Sequence, residues 1–198
     1  MYYNKQMQKC FEVQIIDRIE KLPILKIGDN FSIAFFNLHG NVELTEHCAI
    51  HIAPLVLQSK ADIILTAESK GLQLVHAIAK NLSHKFYAVA RKSQKLYLQD
   101  GISVSYQSIT TKGEQTLYLS KHDVDLLKGK KVAIIDDVIS TGESVSALEK
   151  LAETAGGKVV LKATVLAEGD AKNRTDIKFL ADIPLFFDCN DKVFRKIN

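Results

Sequence analysis

The segment Val132–Ser144, VAIIDDVISTGES, joins a short apolar run to a loop rich in hydroxyl groups. The apolar run indicates a β-strand that is covered on both faces, as in a parallel sheet. Two adjacent acids, Asp136 and Asp137, follow this run, and two like charges side by side repel each other unless a partner faces them. The loop Ser140–Ser144 then leads directly into a helical pattern, so that the segment has the order strand, loop, helix.

Further apolar runs of strand length alternate with helical patterns through the middle of the chain. The predicted strands are Asp62–Thr66, Phe86–Ala90, Val132–Ile135 and Val159–Leu166. The predicted helices are Glu46–Gln58, with Thr45 as N-cap and Pro54 as a point of kinking, Gly71–Leu82, and Glu143–Ala155, which Gly156 and Gly157 close. This alternation predicts an α/β fold whose central, mainly parallel, twisted sheet is flanked by helices.

Two regions do not follow this alternation. The first, Ile15–Leu38, has the pattern of hairpin strands with a turn at Gly28-Asp29-Asn30, and we expect it to form a small subdomain against the main sheet. The second, Ser93–Thr116, is polar, contains scattered aromatic residues and lacks a helical period. A long segment of this kind inside a compact domain predicts a functional loop, a lid or a protruding hairpin.

The composition is that of an ordinary globular protein. The chain has 198 residues, of which 46% are hydrophobic and 25% charged, so it can bury a core of normal size. The net charge of +3 leaves no nucleic-acid footprint, and no apolar run is long enough to span a bilayer. Three widely spaced cysteines and a polar N-terminus favour a reduced environment. We therefore expect a single domain, residues 1–198, in the cytoplasm, with no nucleic-acid or membrane partner.

Three of the predicted strands end in chemically distinctive loops: Ala67–Gly71, Arg91–Lys95 and Asp136–Ser144. In open parallel sheets ligands bind beyond the carboxyl ends of the strands, so these loops are expected to meet at one edge. Four basic residues at two of these strand ends would then face the loop Ser140–Ser144, a pattern that favours a polyanionic ligand such as a pyrophosphate. Surface lysines, however, are usually only solvated. These bases are Lys70, Arg91, Lys92 and Lys95.

The loop Ser140–Ser144 has two interpretations. Its backbone N–H groups and hydroxyls at a helix N-terminus suit a phosphate, but serine and threonine before a helix are most often simple N-caps. The carboxylates of Asp136 and Asp137 can accept hydrogen bonds from sugar hydroxyls or face Mg²⁺ that accompanies phosphates. Carboxylates that can accept hydrogen bonds from hydroxyls, a loop that suits a phosphate and basic residues on the opposite side together indicate a phosphorylated sugar as the ligand.

These motifs resemble those of a known family. VAIIDDVISTGES is similar to the phosphoribosyl-pyrophosphate (PRPP) signature of type I phosphoribosyltransferases. AESKG at residues 67–71 resembles the pyrophosphate loop of that family, and VARKSQKLY at residues 89–97 resembles the start of the mobile loop in its adenine and xanthine members. The resemblance covers about Leu22–Phe187. It implies the type I fold, with a hood at 1–40, a core at 41–187 and a mobile lid loop at 93–116.

The resemblance also implies roles for individual residues. Mg²⁺ would travel with PRPP and face Asp136 and Asp137, with Lys95–Gly113 forming the lid and a non-proline cis peptide preceding Ser69. The ribose and 5-phosphate group would be held by Asp136, Asp137, Ser140, Thr141, Gly142, Glu143 and Ser144. The pyrophosphate would be held by Glu68, Ser69, Lys70, Gly71, Arg91, Lys92 and Lys95, and the catalytic residues would be Asp136, Asp137 and Lys95.

The base that accepts the phosphoribosyl group is expected to contact Leu25, Phe35, Val138 and Glu168. An acid at Glu168 would suit the exocyclic amine of adenine, although a solvated strand end is an equally simple interpretation. The lid lacks the glutamate that adenine enzymes often carry soon after a Ser-Tyr pair, because no acid follows Ser105-Tyr106 until Glu114. The hypothesis is a homodimeric purine phosphoribosyltransferase of nucleotide salvage, with adenine favoured over xanthine or hypoxanthine.

Two alternatives compete with this hypothesis. A PRPP-sensing regulator on the same fold would keep the PRPP motif without catalysis, but the chain retains the basic set expected of an enzyme. His47, Cys48 and His51 lie on one predicted helix with the histidines four residues apart, a spacing that can hold a metal ion. The sequence offers no HExxH motif and no evident third ligand, so a metal site is disfavoured.

Overall fold

The computed structural model describes residues 9–28, 31–94, 100–107, 114–189 and 193–196. The helices are α1 (Val42–Ser59), α2 (Leu72–Asn81), α3 (Lys121–Leu127) and α4 (Glu143–Thr154). The strands are β1 (Cys10–Ile15), β2 (Arg18–Gly28), β3 (Phe31–Ala34), β4 (Ile63–Ala67), β5 (Ala88–Ala90), β6 (Ile102–Gln107), β7 (Glu114–Leu119), β8 (Lys131–Ile139), β9 (Lys158–Glu168), β10 (Lys178–Ile183), β11 (Leu185–Cys189) and β12 (Val193–Lys196).

The central sheet contains all four strands that were predicted from the apolar runs. Its order is β10-β9-β8-β4-β5, and every neighbouring pair is parallel, so the predicted α/β class and parallel sheet are confirmed. The central strand β8 extends four residues beyond the apolar run, because Asp136, Val138 and Ile139 still pair with β9. The two acids therefore lie within the last part of the strand rather than after its end. The edge strand β10 was not predicted, since its burial is mixed and its alternation weak.

Helices cover both faces of this sheet. Helices α1 and α2 pack with the N-terminal strands in one apolar core, and α4 packs with α3 and the hairpin β6–β7 in a second core on the other side. Helix α1 begins earlier than predicted, and Thr45 is not its N-cap. The cap is Asn41, whose side chain accepts a hydrogen bond from the backbone N–H of Leu44 at 3.1 Å, while the hydroxyl of Thr45 donates to the carbonyl of Asn41 at 2.7 Å.

A separate antiparallel sheet, in the order β1-β2-β3-β11-β12, lies beside the central sheet. Strands β2 and β3 form the hairpin that the sequence predicted, and the remaining turn residues, 29–30, lie outside the described residues. Strand β1 precedes the predicted hairpin and pairs along its whole length with β2. Because β11 pairs with β3, the small sheet also takes in strands from the C-terminal part of the chain.

The region predicted to be a lid or protruding hairpin contains β6 and β7. They pair antiparallel from Ile102↔Leu119 to Gln107↔Glu114, which agrees with the hairpin interpretation. Residues 95–99 and 108–113 lie outside the described residues, so 11 residues of the predicted lid, including Lys95, do too, and the motion of the lid stays a prediction. No helix in the described part of the chain is long and apolar enough to cross a membrane.

Candidate active site

A cavity of about 360 Å³ opens at the carboxyl edge of the central sheet, between that sheet and the antiparallel one. Strands β4 and β8 end there as parallel neighbours, which is where an open α/β sheet places a ligand. Most of the predicted site residues line the cavity: Phe35, Glu68, Ser69, Lys70, Lys92, Asp136, Asp137, Val138, Ser140, Thr141, Gly142, Glu143, Ser144 and Glu168. Leu25, Gly71 and Arg91 are not part of the lining.

The acid pair has a basic partner. Asp137 is buried, with its side chain 6% exposed, and its Oδ2 lies 2.9 Å from Nζ of Lys70 in the loop Ala67–Gly71. The backbone N–H of Asp137 donates to Oδ1 of Asp136 at 2.9 Å. One lysine thus faces two carboxyl groups, so it can balance the charge of only one of them.

Asp136 carries the consequence of this imbalance. Burial, and then the adjacent Asp137 carboxylate, raise the pKa of Asp136 well above its ordinary value of 3.8. Because the folded state favours the protonated acid, its contribution to stability is complete below the ordinary pKa and is lost as the pH rises through the raised pKa.

We therefore expect Asp136→Asn to raise the Tm of the ligand-free protein at pH 7, by roughly 2–4 °C for each kcal/mol of relieved penalty. The gain should shrink toward zero near pH 4, where the wild-type acid is protonated as well. Thermal unfolding across this pH range measures the effect, and Asp182→Asn, at an exposed position on β10, is the matched control. Equal Tm values of wild type and Asp136→Asn at pH 7 would contradict the raised pKa of Asp136 in the folded protein.

The loop after β4 approaches the acid pair closely. Its Glu68–Ser69 peptide bond is cis, as the resemblance implied. A Cβ on Gly71 would lie 2.5 Å from Oγ1 of Thr66 and 3.4 Å from Oδ1 of Asp136, so only glycine fits where α2 begins. Gly71 therefore lies against Asp136 behind the cavity wall rather than in the lining.

The predicted basic set is only partly gathered at the cavity. Glu68 Oε1 accepts a hydrogen bond from Nη1 of Arg91 at 2.7 Å, and its Oε2 accepts from the backbone N–H of Lys92 at 3.0 Å. These contacts join the loops after β4 and β5. Of the predicted bases, Lys70 and Lys92 line the cavity, Arg91 is paired with Glu68 outside the lining, and Lys95 lies outside the described residues.

The loop Ser140–Ser144 turns into α4 at Gly142, whose φ is +83°. No side-chain hydrogen bond caps this helix, so the simple N-cap interpretation does not describe the loop. The first backbone N–H groups of a helix have no partner within the helix, and the helix dipole adds partial positive charge there. The loop therefore presents an anion-binding surface to the cavity.

Arg174 was not predicted, although it packs against this loop. Its guanidinium lies so close to Gly142 that a Cβ there would overlap Nη1 and lie 3.0 Å from Cζ. Asp176 holds the guanidinium through two hydrogen bonds of 3.0 and 2.8 Å and also pairs with Lys162, which in turn contacts Glu149 on α4. No sequence motif marks Arg174, because only the fold brings it to Gly142.

Tyr106 on β6 is a second residue that the sequence did not assign to the site. It lines the cavity. Burial raises the pKa of the Tyr106 hydroxyl, and its side-chain hydrogen bond with Ser144 works in the other direction. The hairpin β6–β7 thus reaches the loop Ser140–Ser144 through this tyrosine.

The opposite wall of the cavity is apolar. Phe31, Ile33 and Phe35 alternate along β3 and the residue after it, so they share one face, and Leu185 extends this face from β11. The ring centroid of Phe35 lies 5.8 Å from Nζ of Lys70. Leu25 lies opposite Ile33 in the β2–β3 ladder and not in the lining, and its contact with a base stays a prediction.

Glu168, at the end of β9, is 8% exposed, so it is not the solvated strand end that was considered as an alternative. Burial raises the pKa of its carboxyl, while a hydrogen bond from Ser140 and the charge of Lys70 oppose the rise. The cavity therefore contains a buried acceptor between an apolar wall and an anion-binding loop.

Comparison with known proteins agrees with this geometry. Residues 41–187 match the family model of the phosphoribosyl transferase domain, so the chain belongs to the phosphoribosyltransferase family and is an enzyme of that type. It is 32% identical over 162 residues to a hypoxanthine/guanine phosphoribosyltransferase of Methanococcus voltae. The aligned region covers 80% of this chain and 82% of that relative.

Two further comparisons concern adenine phosphoribosyltransferases. The enzyme of Mesoplasma florum is 29% identical over 182 residues, which cover 92% of this chain and 86% of the relative. The crystal structure of the enzyme from Thermoanaerobacter pseudethanolicus superposes with a TM-score of 0.67 at 22% identity, and covers 82% of this chain and 95% of that one. The structural likeness confirms the type I fold that the sequence motifs implied.

Proposed function

We propose that this enzyme transfers the 5-phosphoribosyl group of PRPP to a purine base, with adenine favoured, and releases pyrophosphate. The observation that carries the proposal is the division of one cavity into two walls. One wall combines the acid pair, Lys70 and the start of α4, and the other is an apolar face closed by the buried acid Glu168. The first suits a phosphorylated sugar, and the second suits a flat heteroaromatic ring.

In the transfer, the bond between ribose C1 and the pyrophosphate oxygen breaks, and pyrophosphate leaves with its electron pair while a base nitrogen bonds to C1. The proton of that nitrogen passes to water. The transition state resembles an oxocarbenium ion, as in glycoside chemistry. Asp136 and Asp137 accept hydrogen bonds from the ribose hydroxyls, and the backbone N–H groups at the start of α4 hold the 5-phosphate. Lys70 and Lys92 stabilise the charge that develops on the leaving pyrophosphate.

The wall around the acid pair also fits Mg²⁺. Two carboxylates face a single lysine there, and Mg²⁺ is bound in proteins by one or two carboxylates together with substrate phosphates. Asp136 and Asp137 would hold it, directly or through its waters. The ion supplies charge neutralisation on the pyrophosphate.

Glu168 supports adenine as the favoured base, because its carboxylate can accept a hydrogen bond from an exocyclic amine. Xanthine and hypoxanthine carry an oxygen at the same ring position and would face the carboxylate with like polarity. The relatives include both adenine and hypoxanthine/guanine enzymes, so the base is a matter for direct assay.

Initial rates with PRPP, Mg²⁺ and each of adenine, hypoxanthine, guanine and xanthine test this proposal, with adenine expected to react fastest. In Glu168→Gln, kcat/KM for adenine should fall roughly tenfold, because an acceptor oxygen remains but its charge is lost. The amide N–H₂ of glutamine can donate to an oxo group, so the relative rate with hypoxanthine should rise.

Glu153→Gln, at an exposed position on α4, is the control for Glu168→Gln and should keep the wild-type base preference. Turnover with xanthine or hypoxanthine but not adenine would overturn the assignment of the base. Tight PRPP binding without turnover of any base would favour a PRPP-sensing regulator. The homodimer and the cytoplasmic location stay predictions, which analytical ultracentrifugation and cell fractionation address.

A further inference from the structure

Three side chains with metal-binding chemistry meet outside the cavity lining. Asp17 lies in the tight turn between β1 and β2, while His47 and His51 lie one turn apart on α1. One possible ligand atom from each of the three lies within 4.8 Å of the others. The fold therefore supplies a third ligand for the histidine pair.

Cys48 does not belong to this group, although it lies between the two histidines in sequence. Its side chain is fully buried in the core. The group of possible ligand atoms that lie within 4.8 Å of one another does not include its sulfur. The side chains of the two histidines instead lie outside the core and are partly exposed, with their ring centroids 4.8 Å apart.

We propose that Asp17, His47 and His51 bind one divalent first-row transition-metal ion of the Zn²⁺ class. Two imidazoles and one carboxylate are a common donor set for Zn²⁺, whereas Mg²⁺ prefers oxygen ligands alone. Metal–ligand bonds of about 2.1 Å place two ligand atoms on a tetrahedral ion roughly 3.4 Å apart. Nε2 of His47 already lies 3.6 Å from Oδ1 of Asp17, so small side-chain rotations complete the set.

The surrounding charges favour a cation at this position. Arg18, the residue after Asp17, turns its guanidinium toward Glu20 and Glu43, so its charge is balanced by two acids. Asp17 itself is 80% exposed and is directed toward His47. A divalent ion therefore meets a carboxylate that a neighbouring arginine does not occupy.

Binding has one defined competitor within the protein. Nε2 of His47 lies 3.1 Å from the carbonyl oxygen of Ile15, so in the metal-free protein that nitrogen carries the proton and donates to the carbonyl. The ion replaces this hydrogen bond and requires the proton to sit on the other ring nitrogen. The bound metal joins the β1–β2 turn to α1, and it should stabilise the folded protein by mass action.

Zn²⁺ titration of the full chain by calorimetry, in the presence of excess Mg²⁺ to saturate oxygen-only sites, tests the proposal. One equivalent should bind and raise the Tm, and Co²⁺ should give the intense ligand-field absorption of a four-coordinate ion. His51→Ala and Asp17→Asn should each weaken Zn²⁺ binding at least about tenfold.

His39→Ala, which removes an exposed histidine from the loop before α1, is the matched control and should bind Zn²⁺ as the wild type does. Asp17 is on an exposed turn, so Asp17→Asn keeps the fold and separates loss of a ligand from loss of structure. Absence of Zn²⁺ binding, or equal affinity of wild type and His51→Ala, would overturn the site. Undiminished affinity in Asp17→Asn would reduce it to an ordinary histidine pair and overturn the three-ligand assignment.

Discussion

Asp137→Asn is expected to lower kcat/KM for PRPP on the order of 100-fold while leaving the protein folded. Asp137 is buried and pairs with Lys70, and the substitution removes the charge with which it binds Lys70 and, in the proposed reaction, a ribose hydroxyl. Lys70 remains 39% exposed and can reach water, so no cation is left buried without a partner. Steady-state kinetics with varied PRPP, together with circular dichroism, measure the two effects.

A double-mutant cycle with Lys70→Met gives this prediction its control. If Asp137 acts only by holding Lys70 in place, adding Asp137→Asn to Lys70→Met will cause no further loss of activity. If the carboxylate also contacts PRPP, the double variant will be clearly worse than either single variant. Normal PRPP kinetics in Asp137→Asn would exclude the acid pair from the site.

Gly142→Ala is expected to reduce kcat/KM for PRPP by about 100-fold, because displacement of a binding group by 1 Å can cost that much. The residue has a φ of +83°, and its added Cβ would overlap the guanidinium of Arg174, which Asp176 holds in place. Either the arginine leaves Asp176 or the loop Ser140–Ser144 moves. In both cases the backbone N–H groups no longer lie where the proposed function requires them to bind the 5-phosphate.

Gly129→Ala separates backbone strain from this steric overlap. Gly129 also has a positive φ, +71°, but an added Cβ would meet nothing within 4 Å. Both variants should lose about 1–2 kcal/mol of stability from the left-handed conformation, whereas only Gly142→Ala should lose PRPP affinity. Arg174→Ala combined with Gly142→Ala should recover part of the activity, and equal activity of Gly142→Ala and Gly129→Ala would contradict the role of this loop.

Most of the central sheet could be predicted because its signal is local. The runs that became β4, β5, β8 and β9 are each nearly continuous in apolar residues, and a strand that is covered on both faces requires no other pattern. The acid pair, the hydroxyl-rich loop and AESKG were likewise visible as contiguous motifs at strand ends. Thr45 was mistaken for the N-cap because threonine and asparagine both favour that position. Only the helix geometry selects Asn41 as the cap of α1.

The sequence by itself determined the α/β class, the order of the chemical motifs and the family whose motifs they resemble, since each of these depends on residues that are neighbours in the chain. Only the tertiary structure decided that Lys70 pairs with Asp137, that Arg174 packs on Gly142 and that Asp17 joins His47 and His51. In each case the partners belong to different elements, more than 25 residues apart. Which distant side chains meet depends on how sheets and helices pack, and no local pattern records that.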